Sequence, residues 1–219
     1  TLKPLLVDFI FRWLHLLFGI TWIGMLYYFN FVQGGYFKAA SPEGLADAKK
    51  KLAPEALWWF RWGAMGTFLT GLILLHLVHR NGVLNDYILV GALMGTFMFL
   101  NVWLIIWPAQ KIALGMVEGD GPANAAKALL ASRTNTLFSA PMAFGMLAGP
   151  HFNGYGAARV AADDAAAGGG LGLYLALALV VLLEANAIKG KLGPIASVKG
   201  VIHMSLLLTA VAFGLVYYL

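Results

Sequence analysis

Six stretches of this chain are apolar over about 20 residues or slightly fewer, the length a helix needs to cross a hydrocarbon core. They are Leu5–Phe31, Leu57–Val78, Leu84–Pro108, Thr136–Phe152, Leu171–Ile188 and Gly200–Leu219. In lipid every backbone donor and acceptor must be satisfied within the protein, so isolated runs of this length fold as helices. The expected architecture is all-α: a polytopic transmembrane helical bundle of about six spans, a single integral membrane domain over residues 1–219. Composition agrees, since only 11% of the residues are charged, against about 25% in soluble domains. The fourth stretch is the shortest and contains Pro141, which predicts a kink or an early end. A five-span alternative makes that stretch re-entrant. The opening run is long, is broken by Asp8 and Arg12 and leads into further spans, unlike a cleaved signal peptide.

The cations sort by side. With six crossings, Lys3, Arg12, Arg80 and Arg159 share the side of the N-terminus, and the remaining 11 of the 15 Lys and Arg residues share the other. Cytoplasmic loops are the cation-rich ones, so both termini are expected outside, in the periplasm of a bacterial inner membrane. The +5 net charge is thereby explained by topology and not by nucleic-acid binding; the lipid bilayer is the expected surrounding. Ser41-Pro42-Glu43 predicts a capped helix over 41–56 lying at the interface and leading to an aromatic belt of Trp58, Trp59 and Trp62. A cytoplasmic loop over 109–133 is expected to hold a short helix at Ala123–Ala131, and 154–170, rich in Ala, Gly and Asp, to form a mobile outer loop.

Four of the five histidines, His15, His76, His79 and His151, fall on the outer side of this topology, and His203 on the inner. Ionisable groups in a bilayer are costly and tend to face protein and mark function. At 100° per residue Asp8, Arg12, His15 and Gly19 share one stripe of the first span, and Trp22 extends it. This pattern suits haem b: an axial imidazole from His15, room for a flat ring at Gly19, and the Arg12 cation for a propionate. The second span offers His76 with Arg80 one turn shallower and Gly71 deeper. The expected site is thus His15 and His76 as iron ligands, with Arg12, Gly19, Trp22 and Arg80 around the ring. Bis-histidine ligation requires a vertical offset between the spans, because His15 lies deeper than His76. Simpler roles stand beside these: a histidine bonded to a neighbouring helix, an Asp8–Arg12 pair along one helix, and Glu184 reaching out toward Lys189 or Lys191. Asn30, Asn101 and Asn186 are expected to bond between helices, and Gly63, Gly66, Gly71, Gly91 and Gly95 to permit close helix contact. The chain has no cysteine, which excludes disulfides, Fe–S clusters and a covalently attached c-type haem.

Two motifs carry a family resemblance. One is Arg12-Trp-Leu-His15-Leu-Leu-Phe-Gly19-Ile-Thr-Trp22-Ile-Gly24. The other runs from Val90-Gly-Ala-Leu-Met-Gly95-Thr96 through Asn101-Val-Trp and Trp107-Pro108-Ala-Gln110-Lys111 to Arg133-Thr-Asn135-Thr136-Leu-Phe138-Ser-Ala-Pro141. With Trp58-Trp59-Phe60-Arg61-Trp62 they resemble the N-terminal membrane domain of bacterial membrane-bound urate oxidase (urate hydroxylase) over most of residues 10–152. The first motif alone is also similar to haem-associated copper-resistance D-like proteins and the membrane protoporphyrinogen oxidase. The resemblance implies a membrane oxidoreductase that passes electrons to cytochrome c, often through a fused cytochrome domain. This chain departs from the pattern: it has no C-x-x-C-H, it has fewer spans, and Leu89 and Thr134 stand where the family has histidines. The resulting expectation is a haem-b-binding electron carrier working with a periplasmic cytochrome c or as a subunit of a respiratory complex. The alternatives are a urate-hydroxylase-like enzyme and a cofactor-free accessory subunit of a membrane redox complex.

Overall fold

The computed structural model describes residues 5–152 and 170–219 in full, and the helical backbone of 2–4 and 153–163. The described residues are helical, with no strand among them. The order is α1 (Leu2–Tyr27), α2 (Gly34–Ala39), α3 (Pro42–Asp47), α4 (Ala53–Arg80), α5 (Asp86–Leu100), α6 (Trp107–Ala113), α7 (Gly121–Asp163), α8 (Leu171–Lys189) and α9 (Val198–Tyr218). Widened, π-helical stretches at Tyr28–Gln33, Ala48–Leu52 and Asn101–Ile106 join α1 to α2, α3 to α4 and α5 to α6. Five continuous helical runs are long and apolar enough to cross a membrane: Leu5–Ala39, Pro42–Arg80, Asp86–Ala113, Leu171–Lys189 and Val198–Tyr218. This is a membrane protein.

The expected fourth span is not one of those five. Thr136–Phe152 lies inside α7, 43 residues long, which at about 1.5 Å per residue is ample to span a bilayer. Pro141 and Pro150 both sit within this helix without ending it; neighbouring helices in a membrane protein can satisfy the groups a proline frees. The short helix expected at Ala123–Ala131 is simply the beginning of α7, capped by the Asp120 carboxylate, which accepts from the Ala123 N–H at 3.0 Å. The outer loop expected over 154–170 is helix as far as Asp163, and 164–169 lie outside the described residues. The cap expected at Ser41 is present: its hydroxyl accepts from the Gly44 N–H at 3.2 Å, with Pro42 in the first turn.

The chain divides into two compact units, Thr1–Leu74 with Met98–Thr136, and Leu75–Phe97 with Leu137–Leu219. In the first, α1 and α4 pack antiparallel through glycine notches. A Cβ at Gly63 would lie 3.0 Å from the Trp22 backbone nitrogen, one at Gly66 would strike the Phe18 ring, and one at Gly71 would lie 3.1 Å from His15 Cε1. Each glycine on α4 therefore receives one ring-bearing residue of α1.

The second unit uses the same device. A Cβ at Gly145 would lie 2.6 Å from the Tyr87 carbonyl and 3.2 Å from Gly91 Cα, and Gly172 fits against the Leu215 carbonyl. Phe213 stacks between Tyr87 and Phe144, with ring centroids 5.9 and 4.7 Å away, and the Ser205 hydroxyl donates to the Leu137 carbonyl at 2.8 Å. Glu184 does not reach outward as expected. Helical periodicity places it on one stripe with Gly172, Ala176, Val180 and Ala187, and it is buried there. Asn186 caps the turn after α8 instead of bonding between helices: its amide donates to the Lys191 carbonyl at 3.0 Å.

Candidate functional site

His15 is half-buried between α1 and α4, with Nδ1 2.9 Å from the Thr67 carbonyl and 3.1 Å from the Thr70 hydroxyl. A carbonyl can only accept, so Nδ1 carries the proton, and in the neutral ring the lone pair is on Nε2. The Thr70 hydroxyl donates to the Gly66 carbonyl at 2.7 Å, which leaves its oxygen free to accept. The imidazole is thus fixed in tautomer and direction by one helix while belonging to another. That is the arrangement that orients a metal-binding histidine: one nitrogen anchored to a carbonyl, the other presenting its lone pair.

The other predicted site residues do not all gather around this ring. Gly19, one turn on from His15, has no heavy atom within 4 Å of where a Cβ would stand. Arg12 is engaged with Asp8 in an ion pair of 2.6 Å. Trp22 is 1% exposed and packs on the Gly63 backbone, its Nε1 without a partner. Gly71 is filled by the His15 ring itself, so the space read there belongs to the imidazole. His76 and Arg80 lie in the second unit, on the last turns of α4 with His79. His151 and His203 are exposed, and His151 Nδ1 turns back to the Leu147 carbonyl of its own helix at 2.7 Å. Among the described residues no three His, Asp or Glu side chains converge on a metal position. In the first unit the His15 ring is thus anchored at Nδ1, with open space one turn on at Gly19.

A second constellation in the first unit is not visible from the sequence. Where the π-helical stretches Tyr28–Gln33 and Asn101–Ile106 widen their helices, polar side chains turn into the protein. Asn30 donates to the Leu26 carbonyl at 2.9 Å and to the Ser132 hydroxyl at 2.8 Å. Asn101 donates to Asn135 Oδ1 at 2.9 Å, and Asn135 donates to the Met98 carbonyl at 2.9 Å. Beside these, Arg133 is only 8% exposed, yet its Nε and Nη1 have no hydrogen-bond partner. Arg61 lies with its guanidinium carbon 3.8 Å from the Trp107 ring centroid, and its Nη1 is also unpartnered. Read from the sequence, both arginines are topology markers on the cation-rich side. The available signal is the polar run Ser132-Arg133-Thr134-Asn135-Thr136, too dense to be ordinary lipid-facing surface.

Residues 80–161 match the family model described as urate oxidase N-terminal. Over that stretch the chain is similar to the urate oxidase N-terminal family. The match takes in rather more than a third of the chain, and no curated protein and no solved structure matches. The urate oxidase N-terminal-like segment begins at Arg80 and contains Asn101, Trp103, Arg133, Asn135 and Pro141, the second of the two sequence motifs. His15, Gly19, Trp22 and His76 lie outside it. Thr134 is buried and donates to the Leu130 carbonyl of its own helix at 3.1 Å. The matched segment therefore carries the Asn101, Trp103, Arg133 and Asn135 part of the buried polar layer, and neither its Asn30 and Arg61 nor the imidazole of α1.

Proposed function

We propose that this protein is a haem-b-binding membrane oxidoreductase subunit that carries electrons near the outer face, to or from a periplasmic cytochrome c or another redox subunit. The reading is supported chiefly by His15: its Nδ1 proton is committed to the Thr67 carbonyl and its Nε2 lone pair is left for a ligand. When bound, haem supplies a one-electron iron couple. The chain's own contribution is orientation. Thr67 and Thr70 hold the ring's direction, Gly71 gives the imidazole its place against α4, and Gly19 keeps the neighbouring face clear. Arg12, with Asp8, is the cation closest along α1 for a propionate. The 4-to-11 distribution of cations supports an inner-membrane protein with outer termini. The test is a pyridine haemochrome assay of the purified protein beside His15→Ala. Haem in the wild type and its loss in the variant are expected; a wild type without haem, or equal content in both, overturns the assignment.

A urate-hydroxylase-like activity is the second reading, favoured by the match over 80–161. Its test is urate consumption by membranes containing the protein with cytochrome c as acceptor; no turnover rejects it.

A further inference from the structure

We propose that the buried polar layer of the first unit is a binding site for a single oxyanion, the phosphate of an anionic phospholipid reached from the cytoplasmic leaflet. Four helical stretches bring their side chains to one layer. Phe29 meets Phe60 edge-on at 5.4 Å, Trp62 meets Trp103 at 5.6 Å, Arg61 lies on Trp107, and Asn30 bonds Ser132, the residue before Arg133. Within the layer four N–H donor atoms are buried and unpartnered: Arg133 Nε and Nη1, Arg61 Nη1 and Trp103 Nε1. Two acceptors, Asn30 Oδ1 and Gln33 Oε1, are in the same condition.

Buried polar groups are almost always hydrogen-bonded, and a buried charge without a partner costs several kcal/mol. Neither arginine has an ion pair among the described residues, where the two salt bridges are Arg12–Asp8 and Lys51–Asp47. Donors outnumber acceptors and two of the side chains are cationic, so the missing partner is an anion with several acceptor oxygens. Arg133 presents Nε–H and Nη1–H, charged donors on different edges of the guanidinium that each call for an acceptor oxygen. The neighbouring aromatic residues put the layer of this proposal at headgroup depth. Trp58, Trp59 and Trp62 are 43–51% exposed on the adjoining turns of α4, as an interfacial aromatic belt is. Basic pockets between helices at this depth on the cation-rich side recognise anionic headgroups. A free phosphate or carboxylate shares the chemistry but gains nothing from the belt.

The experiment uses the full chain purified in detergent. Native mass spectrometry reads retained lipid, and thermal unfolding is followed with added phosphatidylglycerol, phosphatidylcholine or inorganic phosphate. Wild type is expected to retain one phosphatidylglycerol and to be stabilised by it far more than by phosphatidylcholine. Arg133→Gln is expected to weaken that binding roughly tenfold or more, as loss of a charged hydrogen bond does. Arg61→Gln, less buried, carries the same expectation should the first variant fail to fold. Stabilisation by inorganic phosphate without any lipid preference transfers the site to a free anion and overturns the lipid assignment. Equal response to both lipids, or unchanged phosphatidylglycerol binding in the folded arginine variants, overturns the site.

Discussion

Asn135 offers the sharpest test of how the first unit is held together. It is completely buried, and both ends of its amide are used: Oδ1 by Asn101 and Nδ2 by the Met98 carbonyl, each at 2.9 Å. Met98 lies just before the π-helical stretch that begins at Asn101, so the amide ties α7 to α5 where the helical ladder changes register. Interhelical hydrogen bonds in membranes are worth about 0.6 kcal/mol on average and about 1.7 at most. Losing both in Asn135→Ala therefore costs about 1–3 kcal/mol, less the better helix propensity of alanine, about 0.6 kcal/mol. The net expectation is about 0.5–2.5 kcal/mol, or roughly a 2- to 70-fold shift in the folded ratio. Unfolding by SDS in mixed micelles, followed by tryptophan fluorescence, measures it. A double-mutant cycle with Asn101→Ala isolates the direct bond, with an expected coupling of about 0.6–1.7 kcal/mol. Losses that add with no coupling would show that the two amides share no bond, and the account of this layer would fail with them.

Two other contacts carry predictions of their own. Gly145→Ala should lose about 1–3 kcal/mol by overpacking, because its Cβ meets the Tyr87 carbonyl and Gly91 Cα, backbone atoms that cannot rotate away; Gly24→Ala, with nothing within 4 Å, should lose nothing and gain up to about 1 kcal/mol. The same micelle titration checks both, and equal effects would refute the notch. Asp8→Asn should change stability by less than about 1 kcal/mol, since exposed ion pairs contribute little and the Arg12 side chain is 51% exposed; a larger loss would mean that the pair supports more than itself.

The spans are legible in the sequence because a bilayer forces a simple rule on composition: apolar runs become helices. The glycines at 63, 66 and 71 are legible as contact points for the same reason, having no side chain to offer lipid. Their partners are not. Gly71 reads as room for a cofactor and is room for His15, because spacing along one helix does not reveal what the facing helix inserts. Pro141 reads as a terminator, yet α7 continues through it, since a proline's local cost is set by the packing around it. Arg133 reads as a topology marker because a cation near a span end ordinarily reaches water; only packing shows that it does not. The π-helical stretches leave hydropathy unchanged while rotating the succeeding turns by a fraction of a turn. Asn30 and Asn101 are therefore readable as helix-bonding residues, but their place in one layer is not.

His15 and Asn30 stand on the same continuous helical run, Leu5–Ala39, 15 residues apart by their numbers, or about 20 Å along the axis. That separation is too great for one ring to be held at both ends, so the Arg133 layer is not the propionate end of a haem on His15. The two ligands proposed for this unit are then independent. Arg133→Gln should leave haem content unchanged while phosphatidylglycerol is lost, and His15→Ala the reverse. Joint loss in both folded variants would mean that one ligand bridges the unit or that each stabilises the other through α1. The glycine notches make the second outcome testable, because Gly63, between the two sites, would have to transmit it. In that event Gly63→Ala, which presses on the Trp22 backbone, would weaken both ligands together, and if they are independent it would not.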